Sequence, residues 1–193
     1  MERILRGAFV LLGVSGGIAA YKAAELASRL AQSGAAVDVV MTEAATHFVT
    51  PLTFETLTRR RVYVGLWDAH EIEPGHISLA DRPDLCIVAP ATGNTLAKIA
   101  HGIADNLLTS TILACRAPLL LAPAMNENMW RHPATQENIR ILCRRGAQLI
   151  GPRRGWLACG RSGEGRMAEA EEIFAAALKM LATVHHGKRA IRG

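Results

Sequence analysis

At 193 residues the chain is long enough for one sizeable core and short for two. Half of it is hydrophobic, aromatics make up 5%, and the net charge of +5 falls in short clusters: Arg59–Arg61, Arg144–Arg145, Arg153–Arg154 and Lys188–Arg192. These clusters are not interleaved with aromatics on one face, which argues against nucleic-acid binding and leaves local charge suited to a phosphorylated small molecule.

The four cysteines, Cys86, Cys115, Cys143 and Cys159, show neither CxxC spacing nor pairing with histidine, so no metal site is expected. The first three read as buried small hydrophobes, and Cys159 alone sits in a glycine-rich polar setting. No apolar run approaches the length of a membrane span, and Arg3 and Arg6 lead into a strand rather than a leader. The expectation is a cytoplasmic protein without membrane contact.

Ala8 to Gly13 predicts a first buried strand, after which Ser15, Gly16, Gly17 and Ile18 open a helix to about Ser33. Glycines here let backbone approach a ligand, and a helix N-terminus offers N–H groups to an anion. The alternative is a turn that needs glycine for packing alone. The spacing is not GxGxxG, which weakens a nicotinamide-dinucleotide reading. Ala36 to Met41 gives a second strand, tipped by Thr42 where a dinucleotide enzyme often carries an acid.

Pro51 to Arg60 predicts a short amphipathic helix, Val62 to Trp67 an extended piece, and Asp68 to Gly75 a loop ending at His76. A histidine at such a junction is a cap, a surface residue, or a base that takes a proton near neutral pH. Asp84 to Pro90 reads as the third central strand, followed by Thr92, Gly93, Asn94 and Thr95 and a helix to Gly102. These side chains can be plain caps. Two such loops at one sheet edge favour a shared ligand site. Asp105 and Asn106 open a further helix to about Cys115.

Leu119, Leu120 and Leu121 suit a strand buried on both faces, and Pro123 stops it. Ala124 to Trp130 reads as a loop at that strand's carboxyl end, where α/β folds place ligands. Asn126 offers an acceptor and two donors to a carboxylate or amide; it and Asn128 can equally make local turns. A helix from about Ala134 to Arg145 and a short strand from Gln148 to Ile150 follow. Pro152 to Met167 is too glycine-rich and polar for helix or strand and predicts a long functional loop; the alternative is a disordered crossover, for which Trp156 and Leu157 are unusual residues. Ala168 to Leu181 closes as an amphipathic helix, and 184–193 is a polar tail. The expected fold is α/β: a doubly wound, Rossmann-like parallel sheet with helices on both faces, as one domain over 1–183.

The segment from Pro123 to Trp130, PAMNENMW, resembles the substrate-recognition motif Pro-x-Met-Asn-x-x-Met-Trp of the phosphopantothenoylcysteine decarboxylases. These belong to the homo-oligomeric flavin-containing cysteine decarboxylases. Similar segments run from about Leu11 to about Leu181, including Leu-Ala-Cys-Gly-x-x-Gly-x-Gly-Arg-Met from Leu157 to Met167, which resembles that family's substrate-covering flap. The resemblance implies flavin mononucleotide (FMN) held by Ser15, Gly16, Gly17, Ile18, Thr42, Phe48, Pro90, Thr92, Gly93, Asn94, Thr95 and Ala124. Gly93 stands where alanine is commoner.

The resemblance also implies His76 as base, Asn126 as the group orienting the substrate carboxylate, and Cys159 as proton donor. Asn126, Met129, Trp156, Ala158 and Met167 would contact substrate, with Gly160, Gly163 and Gly165 giving the flap mobility. The chemistry is consistent. Loss of carbon dioxide from an acylated cysteine leaves a carbanion without an electron sink, and no side chain supplies one. Oxidation at the carbon bearing sulfur creates a thioaldehyde beta to the carboxylate, which absorbs those electrons.

Implied partners are phosphopantothenoylcysteine, further copies of the chain in trimers or a dodecamer built from them, and a phosphopantothenate–cysteine ligase. Many bacterial relatives carry that ligase after a Gly-Lys-Arg such as the one ending at Arg189. The competing readings are a peptidyl-cysteine decarboxylase, a flavin prenyltransferase, and a regulatory subunit that binds a protein phosphatase. The first two lack the Met-Asn-x-x-Met-Trp signature, and the last carries acidic extensions absent from these 193 residues.

Overall fold

The computed structural model describes residues 5–66, 75–158 and 160–190, the side chains of 75, 76 and 185–190 excepted. Strands β1 (Phe9–Val14), β2 (Ala36–Met41), β3 (Val62–Tyr63), β4 (Leu85–Ala91), β5 (Leu119–Pro123) and β6 (Gln148–Leu149) form one sheet in the order β3-β2-β1-β4-β5-β6. Every pairing in it is parallel. The central strands are apolar along their whole length because both faces are covered.

Alternate side chains of each strand feed two separate cores. On one face Val10, Leu12, Val39, Ile87 and Leu120 pack with Leu26 and Leu30 of α1 (Ala20–Gln32), Phe54 of α3 (Pro51–Thr58) and Ile173 of α9 (Ala170–Ala190). On the other, Leu11, Val40, Val88 and Leu121 meet Leu79 of α4 (Gly75–Asp81) and Leu96 of α5 (Gly93–His101). Leu107 of α6 (Leu107–Ala114) and Leu142 of α8 (Pro133–Arg144) complete that face. Each fully buried leucine contributes about 1.5–3 kcal/mol from removal of apolar surface from water. This is the expected doubly wound sheet.

The winding reverses between β1 and β4. The chain leaves β1 towards β2 and β3, and leaves β4 towards β5 and β6. Loops after β1 and β4 therefore diverge and leave a crevice at the carboxyl ends of the strands, the usual ligand position in such sheets.

Several local expectations need correction. The stretch from Pro152 to Met167 is not a featureless loop: β7 (Arg153–Trp156) and β8 (Ser162–Arg166) pair as an antiparallel hairpin. Backbone pairing needs no apolar alternation, so glycines did not prevent it. The presumed loop after β5 contains a short helix, α7 (Glu127–Arg131), with Asn126 as its N-cap. A four-residue helix, α2 (Glu43–Thr46), follows Thr42 and was not anticipated. The extended piece after α3 contributes only Val62 and Tyr63 to the sheet, and its end at Trp67 lies outside the described residues. Cys143 is exposed rather than buried, because it lies on the solvent side of α8. Helix α9 runs on to Ala190, through most of the stretch read as tail.

Candidate active site

The crevice opens into a cavity of about 950 Å³. Its walls come from six places: Gly16 to Ala19, Tyr21 and Lys22 after β1; Thr42 to Ala44 after β2; Thr92 to Thr95 after β4; Lys98, Asp105 and Asn106 where α5 passes to α6; Ala124 to Asn126 and Met129 after β5; and the hairpin. The hairpin supplies Trp156, Leu157, Ala158, Gly165 and Arg166, with Met167 just beyond it.

A buried serine ties the two central loops together. Ser15 Oγ donates to the Pro90 carbonyl at 2.7 Å and accepts from the Thr92 N–H at 3.0 Å. The Ser15 N–H also reaches Pro90 O at 3.3 Å. Thr92 in turn caps α5, its hydroxyl accepting from the Thr95 N–H at 3.4 Å. The loop after β1 can come this close to α2 because residue 16 is glycine: a Cβ there would stand 2.4 Å from the Ala44 Cβ. The beginnings of α1 and α5 thus face one space, and the first N–H groups of a helix lack intrahelical acceptors.

Thr42 donates its N–H to Val14 O at 2.9 Å, while its hydroxyl oxygen is buried with no hydrogen-bond partner among the described residues. A buried polar atom on a cavity wall is costly unless a ligand or water satisfies it. Charge is present but largely paired. Lys22, 8% exposed, meets Glu169 at 2.9 Å, and Lys98 meets Asp105 at 2.6 Å. The Lys98 ammonium holds the Asp105 carboxyl below the usual carboxylate range. Apolar surface is left open to the solvent side: Trp156 is 71% exposed and Met129 51%.

The hairpin is docked onto the segment after β5. The Met125 N–H donates to Gly165 O at 3.0 Å, and Arg131 of α7 bridges Glu127 at 2.9 Å and Glu164 at 3.9 Å. Gly165 has a packing reason to be glycine, since it meets backbone, whereas Gly163 meets the movable end of a side chain. A Cβ on Gly163 would lie 2.6 Å from Glu127 Oε2, and one on Gly165 would lie 2.1 Å from Met125 O. Asn126 Oδ1 accepts from the Asn128 N–H at 2.8 Å, which fixes the orientation of its carboxamide.

Of the residues expected at the site, Gly16, Gly17, Ile18, Thr42, Thr92, Gly93, Asn94, Thr95, Ala124, Asn126, Met129, Trp156, Ala158 and Met167 line this one cavity. Ser15 and Pro90 do not; they are buried beneath it and act through Thr92. Phe48 is off the wall as well, half-exposed beyond α2. The side chain of His76 and the whole of Cys159 lie outside the described residues. Tyr21, Lys22, Met125 and Arg166 line the cavity without having been singled out. Lys22 had a signal in the sequence, as a cation in the first turn of a helix that otherwise buries alanine and leucine.

A doubly wound sheet with glycine, threonine and asparagine loops around its switch point defines a mononucleotide-binding α/β protein. The chain belongs to the flavoprotein family, whose model matches residues 2–182. It is 51% identical over 174 residues to the coenzyme A biosynthesis bifunctional protein CoaBC of Bacillus subtilis, covering 90% of this chain and 43% of the relative. The homologous protein of Mycolicibacterium smegmatis is 46% identical over 173 residues, covering 89% and 41%. The chain therefore spans less than half the length of these relatives.

Among solved structures, a cysteine-to-serine mutant of PPC decarboxylase in complex with pantothenoylaminoethenethiol superposes with a TM-score of 0.79 at 35% identity. That match covers 89% of this chain and 97% of the other. The FMN-dependent cysteine decarboxylase SpaF superposes with a TM-score of 0.83 at 29% identity, over 94% and 99%.

Proposed function

We propose that this chain decarboxylates phosphopantothenoylcysteine to phosphopantetheine, with FMN as cofactor, in coenzyme A biosynthesis. The observation that carries the proposal is the meeting in one cavity of the PAMNENMW segment and the Trp156–Met167 hairpin, joined by the Met125 to Gly165 hydrogen bond.

The cavity suits FMN. Two helix N-termini favour an anion such as a phosphate, the buried Thr42 hydroxyl lacks a partner among the described residues, and Met125, Met129 and Ile18 offer apolar surface to a ring. Gly16, Gly17, Thr42 and the Thr92 to Thr95 turn would hold it, with Ser15 and Pro90 keeping the two loops in register. When bound, FMN supplies the two-electron acceptor that amino-acid side chains lack.

The chain's own residues do the rest. Asn126, its amide oriented by the Asn128 N–H, binds and aims the substrate carboxylate through its donor group. His76, in the first turn of α4, takes a proton during oxidation. Cys159, which follows Ala158 in the sequence, returns a proton to the carbon left by carbon dioxide; this requires a thiol rather than a thiolate. Trp156, Leu157 and Met167 cover the arm of the substrate and exclude water.

Cytoplasmic residence and assembly into trimers belong to the same proposal, as does a ligase partner, fused or separate. Among the described residues no helix is long and apolar enough to cross a membrane. Titration with FMN, followed by gel filtration and a visible spectrum, tests the cofactor assignment. Flavin absorbance travelling with the protein is expected, and a protein that stays colourless after loading overturns it.

A further inference from the structure

A second cavity, of about 530 Å³, lies at the other end of the sheet, beneath the amino ends of β4 and β5. Cys86 and Cys115 both line it, and their sulfur atoms are 3.2 Å apart. The residues are 29 positions apart in the chain, but parallel pairing of Cys86 with Leu119 brings the α6–β5 turn alongside β4. Cys86 is only 1% exposed, whereas Cys115, at the end of α6, is partly open. Arg116 and Arg145 are among the other lining residues and favour an anionic visitor. Neither cysteine takes part in the chemistry of the first cavity.

We propose that Cys86 and Cys115 form a dithiol–disulfide couple that exchanges with small anionic disulfides entering this second cavity. Cys115 is the attacking sulfur. The hydrogen bond shared with the Cys86 thiol, assisted by the Ala117 N–H at 3.4 Å, draws its pKa below that of an ordinary thiol. The same bond, together with burial, pushes Cys86 well up, as fits the thiol that reacts second.

The Cys115 thiolate attacks one sulfur of the small disulfide, forms a mixed disulfide and expels one thiolate. Cys86 loses its proton to solvent, attacks the Cys115 sulfur and expels the second thiolate. Two electrons pass from the protein pair to the small disulfide, which leaves as two thiols after taking up protons. The sulfurs must close from 3.2 Å to a bond of about 2.05 Å, a shift that side-chain rotation at the partly exposed Cys115 can supply.

The test is covalent and independent of any activity in the first cavity. The FMN-loaded full chain is incubated with oxidised glutathione, free thiols are blocked with iodoacetamide, and peptides are mapped by mass spectrometry. A Cys86–Cys115 cross-linked peptide is expected, with loss of the blocking label from both and its return after dithiothreitol. A Cys86→Ser variant, which keeps a hydroxyl donor, should trap one glutathione on Cys115. Full labelling of Cys86 and Cys115 while the exposed Cys143 carries glutathione overturns the proposal. So does a glutathione adduct that stays on Cys115 of the unsubstituted chain without closing to Cys86.

Discussion

Gly165 presses its α-carbon against Met125: the two backbones share a 3.0 Å hydrogen bond, and a Cβ would fall 2.1 Å from the Met125 carbonyl oxygen. Its φ of +143° also lies where glycine is favoured. Replacement by alanine therefore shifts the hairpin away from the segment that carries Asn126. We expect Gly165→Ala to cost about 1–3 kcal/mol of docking, a fall of roughly fivefold to 150-fold in kcat/KM when it is expressed in closure over substrate. Steady-state kinetics with an unchanged far-ultraviolet dichroism spectrum would show this, and wild-type kcat/KM would remove the hairpin contact from the account.

Ser15 is the next test, because its role is indirect. The hydroxyl is buried between the Pro90 carbonyl and the Thr92 N–H, and alanine leaves both without it. The expected loss is about 1–3 kcal/mol of stability, or roughly 2–12 °C in Tm for a chain of this size. Weaker FMN retention should accompany it, read by equilibrium dialysis. An unaltered Tm would mean the two loops need no tie.

Ion pairs at the cavity should differ from those on the surface. Glu169→Gln leaves the nearly buried Lys22 ammonium without its anion, and we expect a destabilisation of about 1–2 kcal/mol after allowing for the half-exposed carboxylate. Glu25→Gln breaks an exposed pair one turn apart with Arg29 and should cost under about 0.5 kcal/mol. Urea denaturation of both variants compares them directly; equal midpoints would show that burial of Lys22 adds nothing.

The two proposed chemical residues separate the reaction into halves. Asn126→Asp sets a carboxylate against the substrate carboxylate and should block release of carbon dioxide while FMN stays bound. Cys159→Ser should let carbon dioxide leave and then stall, so that an oxidised, decarboxylated thiol accumulates. Mass spectra of quenched reactions distinguish these outcomes. Normal product from either variant would remove that residue from the mechanism.

The central sheet was legible because its strands are buried on both faces and read as unbroken apolar runs such as Leu119 to Leu121. The loops around the crevice were legible through glycine and hydroxyl residues at strand ends. The hairpin was not, because Arg153 to Trp156 and Ser162 to Arg166 carry no alternation of apolar residues. Its order comes from backbone pairing and from docking on α7, neither of which leaves a periodic trace. Nor does sequence tell which way Ser15 faces: its hydroxyl turns inward to the Pro90 carbonyl and the Thr92 N–H. The approach of Cys86 to Cys115 depends on strand register, a property of the folded sheet alone.

The most direct measurement of the central claim is a mass spectrum of phosphopantothenoylcysteine after incubation with the FMN-loaded protein. The account predicts conversion to phosphopantetheine by loss of one carbon dioxide, with no net consumption of a reductant. Substrate returned unchanged by a protein that demonstrably holds FMN would contradict it.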